Sequence, residues 1–199
     1  MPRNGSMRLA VLVSGSGTIL EAILKHGIPV DLVLSDRPCR ALSVARDAGI
    51  VDLLVERNDW TPTFDREFYT ATLTKVLKQE EIDVIAMAGF GTVLASDIHE
   101  GFPLRILNTH PSLLPAFPGW HAVSKALSYG VKLTGCTVHL ATLEVDAGPI
   151  LAQEAVPVLP GDTEATLHER IKETERILYP KTIREFLDSL GGSAQTEPS

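Results

Sequence analysis

Short apolar runs alternate with amphipathic stretches along the first half of the chain. Residues 9–13, Leu-Ala-Val-Leu-Val, are continuously apolar, as in a strand buried on both faces of a parallel sheet. A Ser-Gly-Ser-Gly-Thr turn follows at 14–18. Ile19, Leu20, Ile23 and Leu24 then recur at helical spacing as far as Gly27, a helix stop. The same alternation predicts a strand at 30–34, a helix at 41–48 closed by Gly49, and a weaker strand at 51–55 before a loop around Pro62. A helix over 64–79, with Phe68, Leu73, Val76 and Leu77 facing inward, leads to a buried strand at 82–87. Strands this short, separated by helices, predict an α/β fold: a mostly parallel central sheet with helices on both faces.

The second half is less regular. Residues 105–108 read as a strand running into a Pro-rich loop at 111–119, then a helix near 122–129 and strands at 136–140 and 150–158. The helical pattern over 164–178 is expected to break at Pro180, which lacks an amide hydrogen and crowds the preceding turn, and to resume to Leu190. No repeat or linker divides the chain, so one domain over 7–190 is expected, with flexible tails at 1–6 and 191–199.

Composition narrows the function classes. Of 199 residues, 44% are hydrophobic and 22% charged, and 18 Lys plus Arg against 25 Asp plus Glu give a formal charge of −7. Such a chain is globular and too apolar for disorder. Its acidity excludes a broad basic face for nucleic acid, and no apolar run approaches the roughly 18 residues of a membrane span. Residues 1–6 lack the apolar core of a signal peptide, and Met7 stands as an alternative first residue. Cys39 and Cys136 form neither a disulfide scaffold nor a CxxC site. The expectation is a cytoplasmic protein acting on small molecules, with no nucleic-acid or membrane partner. A homo-oligomer is compatible with all of these features.

Three places carry candidate chemistry. Gly15 and Gly17 permit a tight strand-to-helix turn whose small side chains leave the first helical amides open to an anion. Leu20 stands where a dinucleotide fingerprint has its third glycine, and no Gly-Lys-Ser/Thr ending marks a phosphate loop. Asp36, 36 − 15 = 21 residues beyond Gly15, would suit a ribose contact but is set aside without that glycine. A small phosphorylated ligand held by backbone amides is favoured over a plain βα turn. The second place is Asn108-Thr109-His110, followed by Pro111, Pro115 and Pro118. A strand directs Asn108 and His110 to one side, where an amide donor and an imidazole can hold a developing oxyanion and move a proton. The third is Asp146, on its own a turn former before Gly-Pro. It lies 146 − 110 = 36 residues from His110, and beside that imidazole its carboxylate would favour the charged form. No His/Cys/Asp cluster has metal-ligand spacing, so no metal is expected.

Residues 14–20 (SGSGTIL), 88–90 (AGF), 108–122 (NTHPSLLPAFPGWHA) and 146–150 (DAGPI) together resemble the folate-dependent formyltransferases, and among them the phosphoribosylglycinamide formyltransferases. The likeness spans residues 8–187. The loop Pro118-Gly119-Trp120-His121-Ala122 differs from methionyl-tRNA formyltransferases, which typically continue Arg-Gly-Ala-Ala-Pro and carry a further domain. Formyltetrahydrofolate hydrolases usually carry an extra regulatory domain.

The resemblance implies a formyltransferase fold with a Rossmann-like N-terminal half and 10-formyltetrahydrofolate as co-substrate. It implies formyl transfer to the amine of 5-phosphoribosylglycinamide in purine biosynthesis, with Asn108, His110 and Asp146 catalytic. Gly15, Ser16, Gly17, Thr18, Ile19 and Leu20 would hold the substrate phosphate, Glu175 the ribose hydroxyls, and Lys172 would lie beside them. Arg66, Phe90, Gly91, Thr92, Val93 and Leu94 would line the folate pocket with Asn108 and with Thr142, Leu143, Glu144, Val145 and Asp146. His121 and His139 match positions where the family usually has His. The chain departs from the family at Ile19, where Asn is common, at Gly91, where a larger residue is common, and at Thr92, where a basic one is. Two alternatives stand beside this reading: a formyltransferase acting on another amine, such as a nucleotide amino sugar, and a non-catalytic nucleotide-binding α/β module.

Overall fold

Alternate side chains of the first strand enter two different cores, and this division organises the molecule. In the computed structural model, which describes residues 7–192, the elements are β1 (Leu9–Val13), α1 (Thr18–Lys25), β2 (Leu32–Ser35), α2 (Arg40–Asp47), β3 (Val51–Leu54), α3 (Arg66–Gln79), β4 (Val84–Ala88), α4 (Ser96–Gly101), β5 (Ile106–His110), α5 (Ala122–Tyr129), β6 (Leu133–Leu140), β7 (Ile150–Pro157) and α6 (Glu164–Gly192). Leu9, Val11 and Val13 pack with Val33, Val84 and Ala86 against residues of α1, α2 and α6. Ala10 and Leu12 pack with Leu32, Leu34 and Ile85 against α3 and α4. Burial on both faces explains the continuous apolar runs, and each fully buried Leu, Ile or Val contributes about 1.5–3 kcal/mol.

The strands form one sheet in the order β3-β2-β1-β4-β5-β6-β7. β3 through β5 run parallel, whereas β6 pairs antiparallel with β5 and β7 antiparallel with β6. β1 and β4 are neighbours, yet the chain leaves β1 towards β2 and only later crosses to β4. The loops that follow them therefore diverge and open a crevice at the carboxyl ends of the strands, the usual ligand position in such sheets.

Three expectations are corrected. Phe68 is 73% exposed, because the buried stripe of α3 is Tyr69, Leu73 and Leu77, four residues apart. α6 runs unbroken through Pro180. Tyr179 and Ile183 are fully buried on either side, and the Tyr179 hydroxyl donates to the Leu107 carbonyl at 3.0 Å. These anchors hold the helix against a local penalty of about 3 kcal/mol. α4 was not anticipated, being only six residues long. Of the tails expected at 1–6 and 191–199, residues 1–6 and 193–199 lie outside the described residues, and residues 191–192 are instead the end of α6.

Asp36, just beyond β2, is fully buried and accepts hydrogen bonds from the Thr92 hydroxyl (2.8 Å) and Arg37 Nε (3.1 Å). Its carboxylate is therefore spent on fastening the loop after β4 and is closed to a ribose.

Candidate active site

The crevice is a cleft of about 570 Å³ walled by the turn after β1, the segment 87–94, the end of β5, residues 119–123, the loop after β6 and one face of α6. Its floor at the β1 turn depends on glycine. Gly17 caps α1 with φ +78°, and a Cβ there would lie 2.9 Å from the Ala41 Cα. Only glycine allows both the left-handed backbone and the approach of α2. Arg40 reaches back from α2 to donate to the Ser16 carbonyl at 2.6 Å, so a guanidinium from elsewhere in the chain props a turn that contains no basic residue.

Asn108 and His110 leave β5 on the same side and both line the cleft. Asp146 reaches them because the loop after β6 folds back on its own strand. A Cβ at Gly148 would sit 1.9 Å from the Leu140 carbonyl, an approach only glycine permits, and Leu140 N–H donates to the Pro149 carbonyl at 2.9 Å. Asp146 itself is left-handed, φ +57°, a conformation that Asp tolerates better than most side chains. Its Oδ2 accepts the Gly119 N–H at 2.7 Å and lies 3.3 Å from His110 Nδ1, and its Oδ1 lies 3.5 Å from His139 Nε2. His110 Nε2 is 2.9 Å from the Phe117 carbonyl. Both neighbours of His110 are pure acceptors, one beside each ring nitrogen. Burial pushes the Asp146 carboxyl up, but the neighbouring His139 side chain, the Gly119 amide and the nearby His110 outweigh it and hold it below the usual carboxylate range.

Lys172 and Glu175 lie one turn apart on α6, facing the cleft. Burial pushes the Glu175 carboxyl above its ordinary value despite the nearby Lys172 and Arg176 charges. A raised carboxyl favours the folded state while protonated. That stabilisation is fully present below the unfolded value of about 4.3 and is lost as pH rises through the folded value. Glu175→Gln is therefore expected to raise Tm at pH 7 and to leave it near that of the parent at about pH 4. Thermal unfolding at both pH values checks this.

Most of the residues singled out from the sequence line the cleft: Gly15 to Ile19, Phe90 to Leu94, Asn108, His110, Thr142, Leu143, Val145, Asp146, Lys172 and Glu175. Three do not. Leu20 is fully buried in the core, because α1 turns it towards the sheet. Arg66, which opens α3, does not line the cleft, and neither does Glu144, whose carbonyl accepts the Thr142 hydroxyl at 3.0 Å. Thr92 contributes to the wall, but its hydroxyl is committed to Asp36. His99 and His168 join the lining and were not singled out from the sequence. His99 arrives on the short α4, with Nδ1 buried and unpartnered among the described residues, and burial lowers its basicity. A lone histidine in a loop-like stretch gives no sequence signal.

The family model for formyl transferase matches residues 7–183. A phosphoribosylglycinamide formyltransferase from Mycobacterium tuberculosis is 45% identical over 183 residues, covering 89% of this chain and 84% of that protein. The trifunctional purine biosynthetic protein adenosine-3 of Homo sapiens is 38% identical over 89% of this chain, which corresponds to 18% of that longer protein. The crystal structure of glycinamide ribonucleotide transformylase 1 from Symbiobacterium toebii superposes with a TM-score of 0.86 at 42% identity, covering 94% of this chain and 90% of that one. With the cleft at the β1/β4 crevice and these likenesses across nearly its whole length, the chain belongs to the formyl transferase family.

Proposed function

We propose that the chain transfers the formyl group of 10-formyltetrahydrofolate to the amine of 5-phosphoribosylglycinamide, a step of purine biosynthesis. The observation that carries this reading is the meeting of Asn108, His110 and Asp146 on one wall of a cleft, between a glycine turn at one end and an apolar slot at the other. Residues 15–19 present helix-start amides to the ribonucleotide phosphate, and Lys172 and Glu175 face its ribose. Phe90, Val93, Leu94 and Leu143 line the slot, which suits a flat heteroaromatic ring such as the pterin. Residues 7–190 act as one domain, working on small molecules in the cytoplasm. Among the described residues no helix is long and apolar enough to cross a membrane.

The neutral amine attacks the formyl carbon, and the carbonyl pair moves onto oxygen. As that oxygen gains charge it becomes a better acceptor than the neutral Phe117 carbonyl, and His110 Nε2–H shifts to it. The Asn108 amide supplies a second donor. Each such donor contributes a factor of about 10² to 10³. The amine then gives up a proton, the bond from the formyl carbon to the folate nitrogen breaks, and that nitrogen takes a proton. Asp146 keeps His110 charged and orders a water that carries the proton from the amine to the folate nitrogen. The donors in place match the single charge formed, and the scheme uses no metal.

The test is formyl transfer from 10-formyltetrahydrofolate to the ribonucleotide, followed by the absorbance of the released folate. Turnover with a nucleotide amino sugar and none with the ribonucleotide would shift the acceptor. Ligand binding without any turnover would leave only a nucleotide-binding module.

A further inference from the structure

The imidazole of His139 has no part in the scheme above, yet it sits in the middle of the catalytic cluster. β5 and β6 pair so that Asn108 and His139 are directly opposed. His139 is 1% exposed, and its Nε2 lies 3.3 Å from Asn108 Nδ2 and 3.5 Å from Asp146 Oδ1. We propose that His139 is a positioning residue: as a neutral imidazole it accepts one N–H of Asn108 and so fixes which end of that amide faces the cleft. The inference rests on the formyl-transfer reading, which makes the Asn108 amide a donor.

Counting donors and acceptors gives the direction. His139 Nδ1 lies 3.1 Å from the Leu140 carbonyl, which can only accept, so Nδ1 carries the proton. His110 faces two acceptors, Asp146 and the Phe117 carbonyl, and takes the charged form. Asp146 therefore neutralises His110. His139 Nε2 also lies 3.5 Å from Asp146 Oδ1, farther than the 3.3 Å to Asn108 Nδ2, and a second imidazolium there would have to share with His110 the one carboxylate that both approach. Neutral His139 turns the lone pair of Nε2 towards Asn108. The amide NH₂ faces that lone pair, and its second N–H is left for the cleft. Rotating the amide by half a turn would set two lone pairs against each other and offer an oxygen, not a donor, to the forming oxyanion.

The first test needs no substitution. Nitrogen-15-labelled histidine in the intact protein should show His139 Nε2 unprotonated and Nδ1 protonated at neutral pH, and a protonated Nε2 overturns the proposal. Kinetically, His139→Leu should lower kcat about 100-fold, the worth of one oxyanion donor, with both KM values within about threefold. His139→Gln, which restores an acceptor near the Nε2 position, should recover to within about tenfold of the parent. In an Asn108→Ala background His139→Leu should cost little more, because its partner is already gone. A full additional 100-fold loss there, or a leucine variant as fast as the parent, overturns the assignment. If His139→Leu does not fold, the labelled parent and the glutamine variant still decide. Absence of formyl transfer by the parent protein would instead remove the functional reading and leave the measured tautomer standing.

Discussion

His110→Ala is expected to lower kcat for formyl transfer about 10² to 10³-fold, with the KM for each substrate little changed. In the proposed scheme the His110 imidazolium is the charged donor to the formyl oxygen, and its role is confined to the moment when negative charge appears there. Removing it therefore raises the barrier and leaves ground-state binding alone. The fold should survive, because Asp146 keeps the Gly119 N–H at 2.7 Å. Steady-state kinetics with both substrates varied, beside circular dichroism of the variant, checks the expectation. A well-folded His110→Ala protein turning over at the parent rate would remove this residue from the scheme.

Asp146→Ala should be of similar magnitude and carry a second signature. In the proposed scheme the substitution takes the counter-ion from His110 and removes the group that orders the proton-carrying water. It also leaves the Gly119 N–H without its acceptor, so stability falls along with turnover. The pH dependence follows from the lowered carboxyl value. A depressed acid contributes stability above its unfolded value, about 3.9, and loses it as pH falls through the folded value. The difference in Tm between parent and variant should accordingly be full at pH 7 and shrink in acid. A difference that stays constant down to low pH would mean that the carboxylate charge is not what holds the loop.

The sheet was legible because burial on two faces leaves a direct trace: β1 and β4 are apolar throughout and β2 is apolar up to Ser35, and their centres are found where the pattern put them. Helix phase was harder to read. Phe68 looked inward on hydrophobicity alone, but the Tyr69, Leu73 and Leu77 stripe sets the rotation of α3 and leaves Phe68 in water. Pro180 read as a break because local backbone chemistry says so. The Tyr179 hydroxyl bond and the buried Ile183 act from other elements, beyond the reach of a local pattern. In the site, Asn108 and His110 could be paired from strand alternation. The approach of Asp146 was legible only through the family likeness, since it depends on the contact of Gly148 with Leu140. The closeness of His139 and Asn108 depends on the β5/β6 register, which no spacing along the chain encodes. Arg40 at the β1 turn and His99 on α4 are likewise products of tertiary packing.

The hydrogen bond from Tyr179 to the Leu107 carbonyl has a consequence for how the site opens. It pegs α6, which carries Lys172 and Glu175, to the strand residue just before Asn108. The two halves of the cleft then share one cooperative unit instead of meeting through a loop. Backbone amides of β5 and of the middle of α6 should exchange with solvent together and slowly, near the rate of global unfolding. Ligand entry would then fall to the faster-exchanging segments around residues 119–121 and 142–146, with the distance from ribose contacts to the Asn108 amide held constant throughout.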